Sequence, residues 1–392
     1  MPPLKKTLGS PADGEDRFFI REKIIKNIRK EINNKENLLL SAPRRIGKTS
    51  ILQYLCKNPQ ENQIIKYIIT QGVHNEQEYF KLLFNAILED KKIVEKYFKI
   101  AKNSVKNYIQ NLTFIDLKGK IELSQDEHID YYQECKLLLE NIDEQKQIII
   151  FVDEFPDTIH NIAKNSEQEA ILFLQKNREL RQKYSLQFVY TGSTGLSNIV
   201  ERLNKLDLIN DIMTIKVPPL SKKEASELIS CLVSGFQEES PDFHLSSEVI
   251  DYINYKVTWL IPYYLQIIIY EIHEYYDEHK EKIDTTKIDE ILHNITNSQS
   301  SHSTYFANWK TRLMTSLKGD EYKFAVDVLN HISKENTISY STFYDKSEQY
   351  NIDDDKYILK VLIHDGYISE DNQEYGFNSF LLKQWWFKNV AL

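Results

Sequence analysis

A strand-like apolar run at residues 37–42 passes straight into Ser41-Ala-Pro-Arg-Arg-Ile-Gly-Lys-Thr-Ser50, and a helical pattern carrying Ile51, Leu52 and Leu55 follows. Strand, short loop and helix in that order leave few folds open. They predict an open α/β sheet with the loop at the carboxyl end of a strand, where such sheets bind ligands. In the pattern G-x-x-x-x-G-K-[ST], successive backbone N–H groups and the helix N-terminus surround phosphate groups. Here Gly47 lets the backbone approach closely, Lys48 reaches the β- and γ-phosphates, and the Thr49 hydroxyl ligates Mg²⁺. Ala42, Pro43, Arg44, Arg45, Ile46 and Ser50 complete the nucleotide-binding set. Ala42 replaces the first glycine of the pattern, which is acceptable where φ is below zero. The competing reading is a plain helix start with a solvated lysine.

Further strand-length runs stand at residues 64–70, 148–153, 186–191 and 212–217, separated by longer helical patterns. Continuous β-branched runs such as Gln147-Ile-Ile-Ile-Phe-Val-Asp153 are those of buried parallel strands. The expected core, residues 1–217, is therefore a five-stranded parallel, doubly wound sheet, with a hairpin inserted at 112–123. Residues 218–297 contain only helical patterns and read as a helical lid. A polar stretch at 297–304 reads as a linker. Beyond it, within 298–392, come helical stretches at 322–333, 341–349 and 354–364, a hairpin at 366–377 and a last helix with Trp385 and Trp386. Three helices plus a hairpin suggest a winged helix.

The run 148–151 ends in Val152-Asp-Glu-Phe-Pro156, two acids at the carboxyl end of a buried strand. Beside the loop at 42–49 they read as an acid pair in which Asp153 holds Mg²⁺ while Glu154 orients and polarises the attacking water. The alternative is acids that simply meet solvent at a strand end. The run at 186–190 ends in Thr191-Gly-Ser-Thr194, so Thr191 and Ser193 are candidates to sense a γ-phosphate, although both residue types are ordinary in turns.

On these pieces the chain resembles the archaeal-type ATPase family, usually placed in or near the STAND group of AAA+ proteins. The matching segments are Phe18-Phe-Ile-Arg-Glu22, Ala42-Pro-Arg-Arg-Ile-Gly-Lys-Thr49, Phe151-Val-Asp-Glu154 and Tyr190-Thr-Gly-Ser193, then Val217-Pro-Pro-Leu-Ser221 with Glu224-Ala225, Pro262-Tyr-Tyr-Leu-Gln266, and Asp365-Gly-Tyr-Ile368 with Phe377 through Trp386. The resemblance spans nearly the whole chain and implies a P-loop NTPase (AAA+/ASCE) that binds ATP and Mg²⁺ and hydrolyses ATP. It implies that Phe19, Arg21 and Glu22 lie by the adenine and that Pro262, opening a lid helix, faces the nucleotide. A plain ion pair at a helix start accounts for Arg21 and Glu22 equally well, and Pro262 also suits the first turn of any helix. Arg202 and Arg312 are the candidate arginine fingers. Arg44 and Arg45 supply local charge and packing.

The formal charge of −9 argues against a surface built throughout to neutralise phosphate. Cys56, Cys135 and Cys231 lie far apart without metal-type spacing, which fits a reducing compartment. No apolar core of signal-peptide length follows residues 1–6, and the most apolar stretch, 259–269, is too short for a bilayer, so a cytoplasmic protein is expected. Residues 318–392 hold eight lysines, no arginine and 13 acids, and the helix that would enter a DNA groove starts at Asp353-Asp-Asp355. That composition disfavours nucleic acid. It points to a protein-contact or self-inhibition module, docked through Trp385, Trp386 and Phe387 unless these fill the unit's own core. The leading expectation is a nucleotide switch coupling ATP state to a protein partner or to self-association. The alternatives are an initiator-like ATPase that binds DNA through the winged helix and a non-catalytic ATP-binding scaffold.

Overall fold

The computed structural model describes residues 2–8, 10–14, 16–101, 105–106, 129–140, 146–184, 186–192 and 195–392. The hairpin expected at 112–123 lies outside them. Chain order begins α1 (Glu22–Asn33), β1 (Asn37–Ser41), α2 (Lys48–Lys57), β2 (Gln63–Ile69), α3 (Glu76–Leu88), α4 (Lys91–Ile100), α5 (Tyr131–Glu140) and β3 (Gln147–Asp153). It continues with α6 (Phe155–Asn165), α7 (Glu167–Lys183), β4 (Leu186–Gly192), α8 (Leu196–Arg202) and β5 (Ile212–Lys216).

These five strands form one parallel sheet in the order β2-β3-β4-β1-β5. Its inner strands β1, β3 and β4 are buried on both faces because helices cover both. On β3, Ile149 and Phe151 join one apolar cluster, whereas Ile148, Ile150 and Val152 join the cluster formed with α3, α5, α6 and α7. The register aligns Ser41 with Gly192 and Ile69 with Asp153, so the carboxyl ends of β1, β2, β3 and β4 share one edge. Whatever follows those strands meets there.

At the far side of α7, Arg181 is fully buried and forks onto Asp211, donating from Nε and Nη2 at 2.8 Å each, with a further bond of 2.7 Å from Nη2 to the Leu208 carbonyl. Truncating Arg181 leaves Asp211 and that carbonyl without their partner. Arg181→Ala is expected to destabilise the core by about 3 kcal/mol, toward the low end for a broken buried pair because Asp211 keeps some solvent contact. A lowered urea midpoint at unchanged slope is the readout.

Four helices follow: α9 (Lys222–Phe236), α10 (Ser247–Val257), α11 (Pro262–His279) and α12 (Thr285–Ile295). A capping box fixes the start of α9, with Ser221 and Glu224 each bonding the other's backbone N–H. Pro262 occupies the first turn of α11, where its missing N–H costs nothing.

The last unit comprises α13 (Ser303–Ser316), α14 (Asp320–Glu335), β6 (Thr337–Ser339), α15 (Tyr340–Gln349), α16 (Asp355–His364), β7 (Ile368–Asp371), β8 (Glu374–Phe377) and α17 (Phe380–Trp386). Its strands form an antiparallel sheet in the order β6-β8-β7. Where the sequence suggests a polar linker at 297–304, the helix α13 already begins at Ser303, anchored by the buried row Phe306, Trp309 and Leu313. Trp386 is fully buried and donates its indole N–H to Asn330 at 2.9 Å, while Trp385 stacks with Phe306 at 6.1 Å between ring centres. These tryptophans fill the interior between α13, α14 and α17; they are not the surface that meets the sheet domain. One apolar cluster nonetheless runs from Leu38 and Phe151 through Leu228 and Ile268 to Phe324 and Trp386.

Candidate functional site

The loop after β1 is shaped by two left-handed residues. Gly47 has φ +99° and caps α2, and a Cβ there would meet nothing, so the glycine answers to backbone conformation and not to space. Arg45 also has positive φ, at +66°. Ala42 is not among the positive-φ residues, which is why alanine serves in place of glycine. The Lys48 side chain folds back over the loop, its Nζ donating to the carbonyls of Ala42 at 2.6 Å and Pro43 at 3.0 Å. Burial pulls its pKa below that of an ordinary lysine, and the carboxylates of Glu154, Asp153 and Asp365 oppose that pull.

Asp153 ends β3 almost wholly buried. Its Oδ2 accepts from the Thr49 hydroxyl and the Tyr67 phenol, both at 2.8 Å, and its Oδ1 accepts from the Thr191 hydroxyl and from the Glu154 N–H. Three elements, α2, β2 and β4, thus fix one carboxylate. Thr191, expected as a phosphate sensor, is committed to Asp153. Ser193 lies outside the described residues. Tyr67 carries no motif; it reaches Asp153 because β2 pairs with β3 in a register that sets Tyr67 opposite Phe151. Burial first and then Asp153 raise its pKa far above the phenol range. Glu154 takes φ +59° and opens α6.

A cavity of about 340 Å³ lies against this edge, and Phe19, Arg21, Arg44, Arg45, Ile46, Gly47, Lys48, Thr49, Ser50, Glu154 and Pro262 all line it. Ala42, Pro43 and Asp153 stand behind that lining and hold Lys48 and Thr49 from below. Arg21 donates from Nη2 to the Pro219 carbonyl at 3.3 Å, but its buried Nε and Nη1 have no partner. Burial lowers its pKa, countered by Glu224. Unpaired buried donors at a cavity wall are costly unless a ligand fills the cavity. Glu22 is exposed and does not line the cavity. The N-terminal segment, which carries no motif, closes another side: the Ala12 N–H donates to Ser50 Oγ at 2.9 Å and the Thr7 N–H to Gln266 Oε1 at 2.6 Å. Arg202 and Arg312 line a different cleft. Arg202 forks onto Glu321 at 2.9 and 3.0 Å and covers the Tyr357 ring at 4.0 Å, so it is engaged away from the cavity.

The C-terminal unit reaches the phosphate-type loop itself. His364 Nε2 lies 3.3 Å from Ser41 Oγ, Arg44 donates to Asn308 at 3.1 Å, and the Arg45 guanidinium sits over the rings of Tyr263 and Tyr305. Gly366, at φ +88°, lies so close that a Cβ would come within 2.7 Å of Pro43 Cβ and 2.8 Å of Trp259 Cη2. Gly366→Val therefore combines steric overlap with a backbone conformation valine avoids. It is expected to lift this turn from the loop at a cost of about 2–3 kcal/mol, seen as new protease-sensitive sites around residues 297–320 and a lower melting temperature.

Among the described residues no helix is long and apolar enough to cross a membrane. No family model and no curated protein matches the sequence. Solved structures do. The Walker-type ATPase of Pyrococcus abyssi superposes with a TM-score of 0.62 at 19% identity, over 96% of this chain and 98% of that one. The ORC2 protein of Aeropyrum pernix, solved in ADPNP–ADP complexes, superposes with a TM-score of 0.55 at 10% identity, over 97% of this chain and 94% of that one. From its first helix to its last, this chain has the fold of the archaeal Walker-type ATPases.

Proposed function

We propose that the chain binds ATP with Mg²⁺ in the cavity at residues 44–50, hydrolyses it slowly, and uses the nucleotide to set the contact among sheet domain, helical lid and C-terminal unit. The observation that carries this reading is the convergence of Lys48, Thr49, Asp153 and Glu154 at one sheet edge beside a lined cavity. The residues suit the ligand. Lys48 is a buried ammonium whose present partners are two carbonyls of its own loop, so it has charge to offer a phosphate; Arg21 has two buried donors to satisfy. Thr49 and Asp153 would hold Mg²⁺, which neutralises phosphate charge when bound. Among the described residues no cluster of His, Cys, Asp or Glu makes an all-protein metal cage, and a magnesium ion shared with phosphates needs none.

In this reading four donors hold the Asp153 carboxylate in place, and Glu154 accepts the proton of the attacking water at the cavity wall. Lys48 leaves the Ala42 and Pro43 carbonyls for the phosphates, and Pro262 and Tyr263 bring the lid to the nucleotide. The C-terminal unit, which we read as a winged helix, is the part that reports to a partner or a second copy, in a cytoplasmic protein. Phosphate release by the purified full-length chain tests the proposal. Release is expected with ATP and Mg²⁺, to stop on chelation with EDTA and to resume when Mg²⁺ is restored. Tight ATP binding without any release would leave a non-catalytic scaffold instead.

The likeness to ORC2 along the whole chain favours a second reading, an initiator-like ATPase on DNA. Against it stand the 13 acids and eight lysines of residues 318–392. Steeply salt-dependent duplex binding would support it, and no binding at low salt would exclude it.

A further inference from the structure

The cleft that holds Arg202 measures about 590 Å³, within the usual range for small-molecule sites. Its walls come from separate parts of the chain. Lys164 stands on α6, Arg202 on α8, Arg312 on α13 and Lys318 just before α14, while Arg44 enters from the loop of the first cavity. These five cations face three acids, Asp157, Glu167 and Asp365, and Arg202 is further paired with Glu321, so the cleft keeps a single net positive charge in a chain of charge −9. Lys164 and Lys318 make no ion pair among the described residues. Burial first, and then Lys164, Lys318 and Arg202, hold the pKa of His160, on the same cleft wall, below the usual histidine range. Tyr357, under the Arg202 guanidinium, adds an aromatic face to the same cleft.

We propose that this cleft is a second ligand site, which takes a small phosphate-bearing molecule of about nucleotide size and joins the sheet domain to the C-terminal unit. Opposed lysines on two walls match several negative charges on one compact ligand, and an aromatic ring with a guanidinium suits a flat group attached to them. A nucleic-acid strand fits less well. Leaving the cleft across residues 318–392, it would run over a surface with an excess of acids.

Inorganic tripolyphosphate is the probe, titrated by calorimetry into full-length protein carrying Lys48→Ala, so that the first cavity does not compete. Saturable binding is expected, and the double reversal Lys164→Glu/Lys318→Glu should weaken it by at least about ten-fold. The same double variant with Lys48 intact should bind ATP as the parent does, which shows that it is folded. If Lys48→Ala itself misfolds, the titration is made into the Lys48→Met protein, which removes the same charge and keeps most of the side-chain volume. Absence of binding in both backgrounds, or binding indifferent to the charge reversal, overturns the proposal. So does a short single-stranded oligodeoxynucleotide that binds more tightly than tripolyphosphate and loses that binding on reversal, since the cleft would then serve a strand. Failure here leaves the ATP reading untouched, and loss of ATP binding in the first cavity leaves this one standing.

Discussion

Glu154→Gln is expected to keep ATP bound while phosphate release falls about 100- to 10,000-fold, the range that positioned general bases supply. The side chain lines the cavity at the end of β3, one residue beyond an aspartate fixed by three hydroxyls and a backbone N–H. Glutamine has the same shape and keeps the left-handed turn at φ +59° that opens α6, so the fold and the nucleotide contacts remain. What it loses is the ability to take a proton. Binding of a fluorescent ATP analogue and release of phosphate, measured on one preparation, separate the two effects. Turnover at the parental rate would remove Glu154 from the proposed chemistry.

Lys48→Ala is expected to fail one step earlier. The variant forfeits a charged donor at the centre of the loop, and hydrogen bonds to charged groups contribute about 1.5–3 kcal/mol each. Two such bonds to phosphate correspond to an affinity loss on the order of 100-fold or more. Thermal melts give an independent readout. ATP at about 100 times its dissociation constant adds roughly 2.7 kcal/mol to the Lys164→Glu/Lys318→Glu protein, whose second cleft no longer draws phosphate, and that rise should vanish when Lys48→Ala is added to it. A melting temperature that climbs with ATP in both proteins would place the nucleotide elsewhere. Chelation, in contrast, leaves Lys48 in place, so the Mg²⁺ experiment and this one fail for different reasons.

Much of the sheet was legible because its signals are local. The β1 strand, the loop and α2 are written consecutively, and the apolar run of β3 announces a strand covered on both faces and ends on its own acids. Burial of Ile148 and Ile149 alike is what a continuous run predicts. Tyr67 was not legible, because its place beside Asp153 depends on how β2 registers against β3. Thr191 shows the reverse case: the position at the sheet edge was readable, yet only the assembled edge reveals that its hydroxyl goes to Asp153. Arg202 is a comparable case. Its place in a helix after β4 suggests nothing of Glu321, 119 residues away, and that ion pair decides where the guanidinium points. The spacing of Phe306, Trp309 and Leu313 did carry a signal for α13, masked by the polar stretch before it. The two tryptophans near the C-terminus carried no directional information, since an aromatic pair suits a docking face and an interior equally.

Ser41 lies against His364, Pro43 against Gly366, Arg44 against Asn308 and Arg45 against Tyr263 and Tyr305, so neighbouring loop residues answer to different masters. Reciprocity follows from that arrangement. If a phosphate group shifts the loop and loosens the C-terminal unit by some factor, anything that seizes the C-terminal unit must change the affinity for that phosphate group by the same factor. A partner for this protein could therefore be recognised without knowing its identity, by the change it causes in nucleotide affinity.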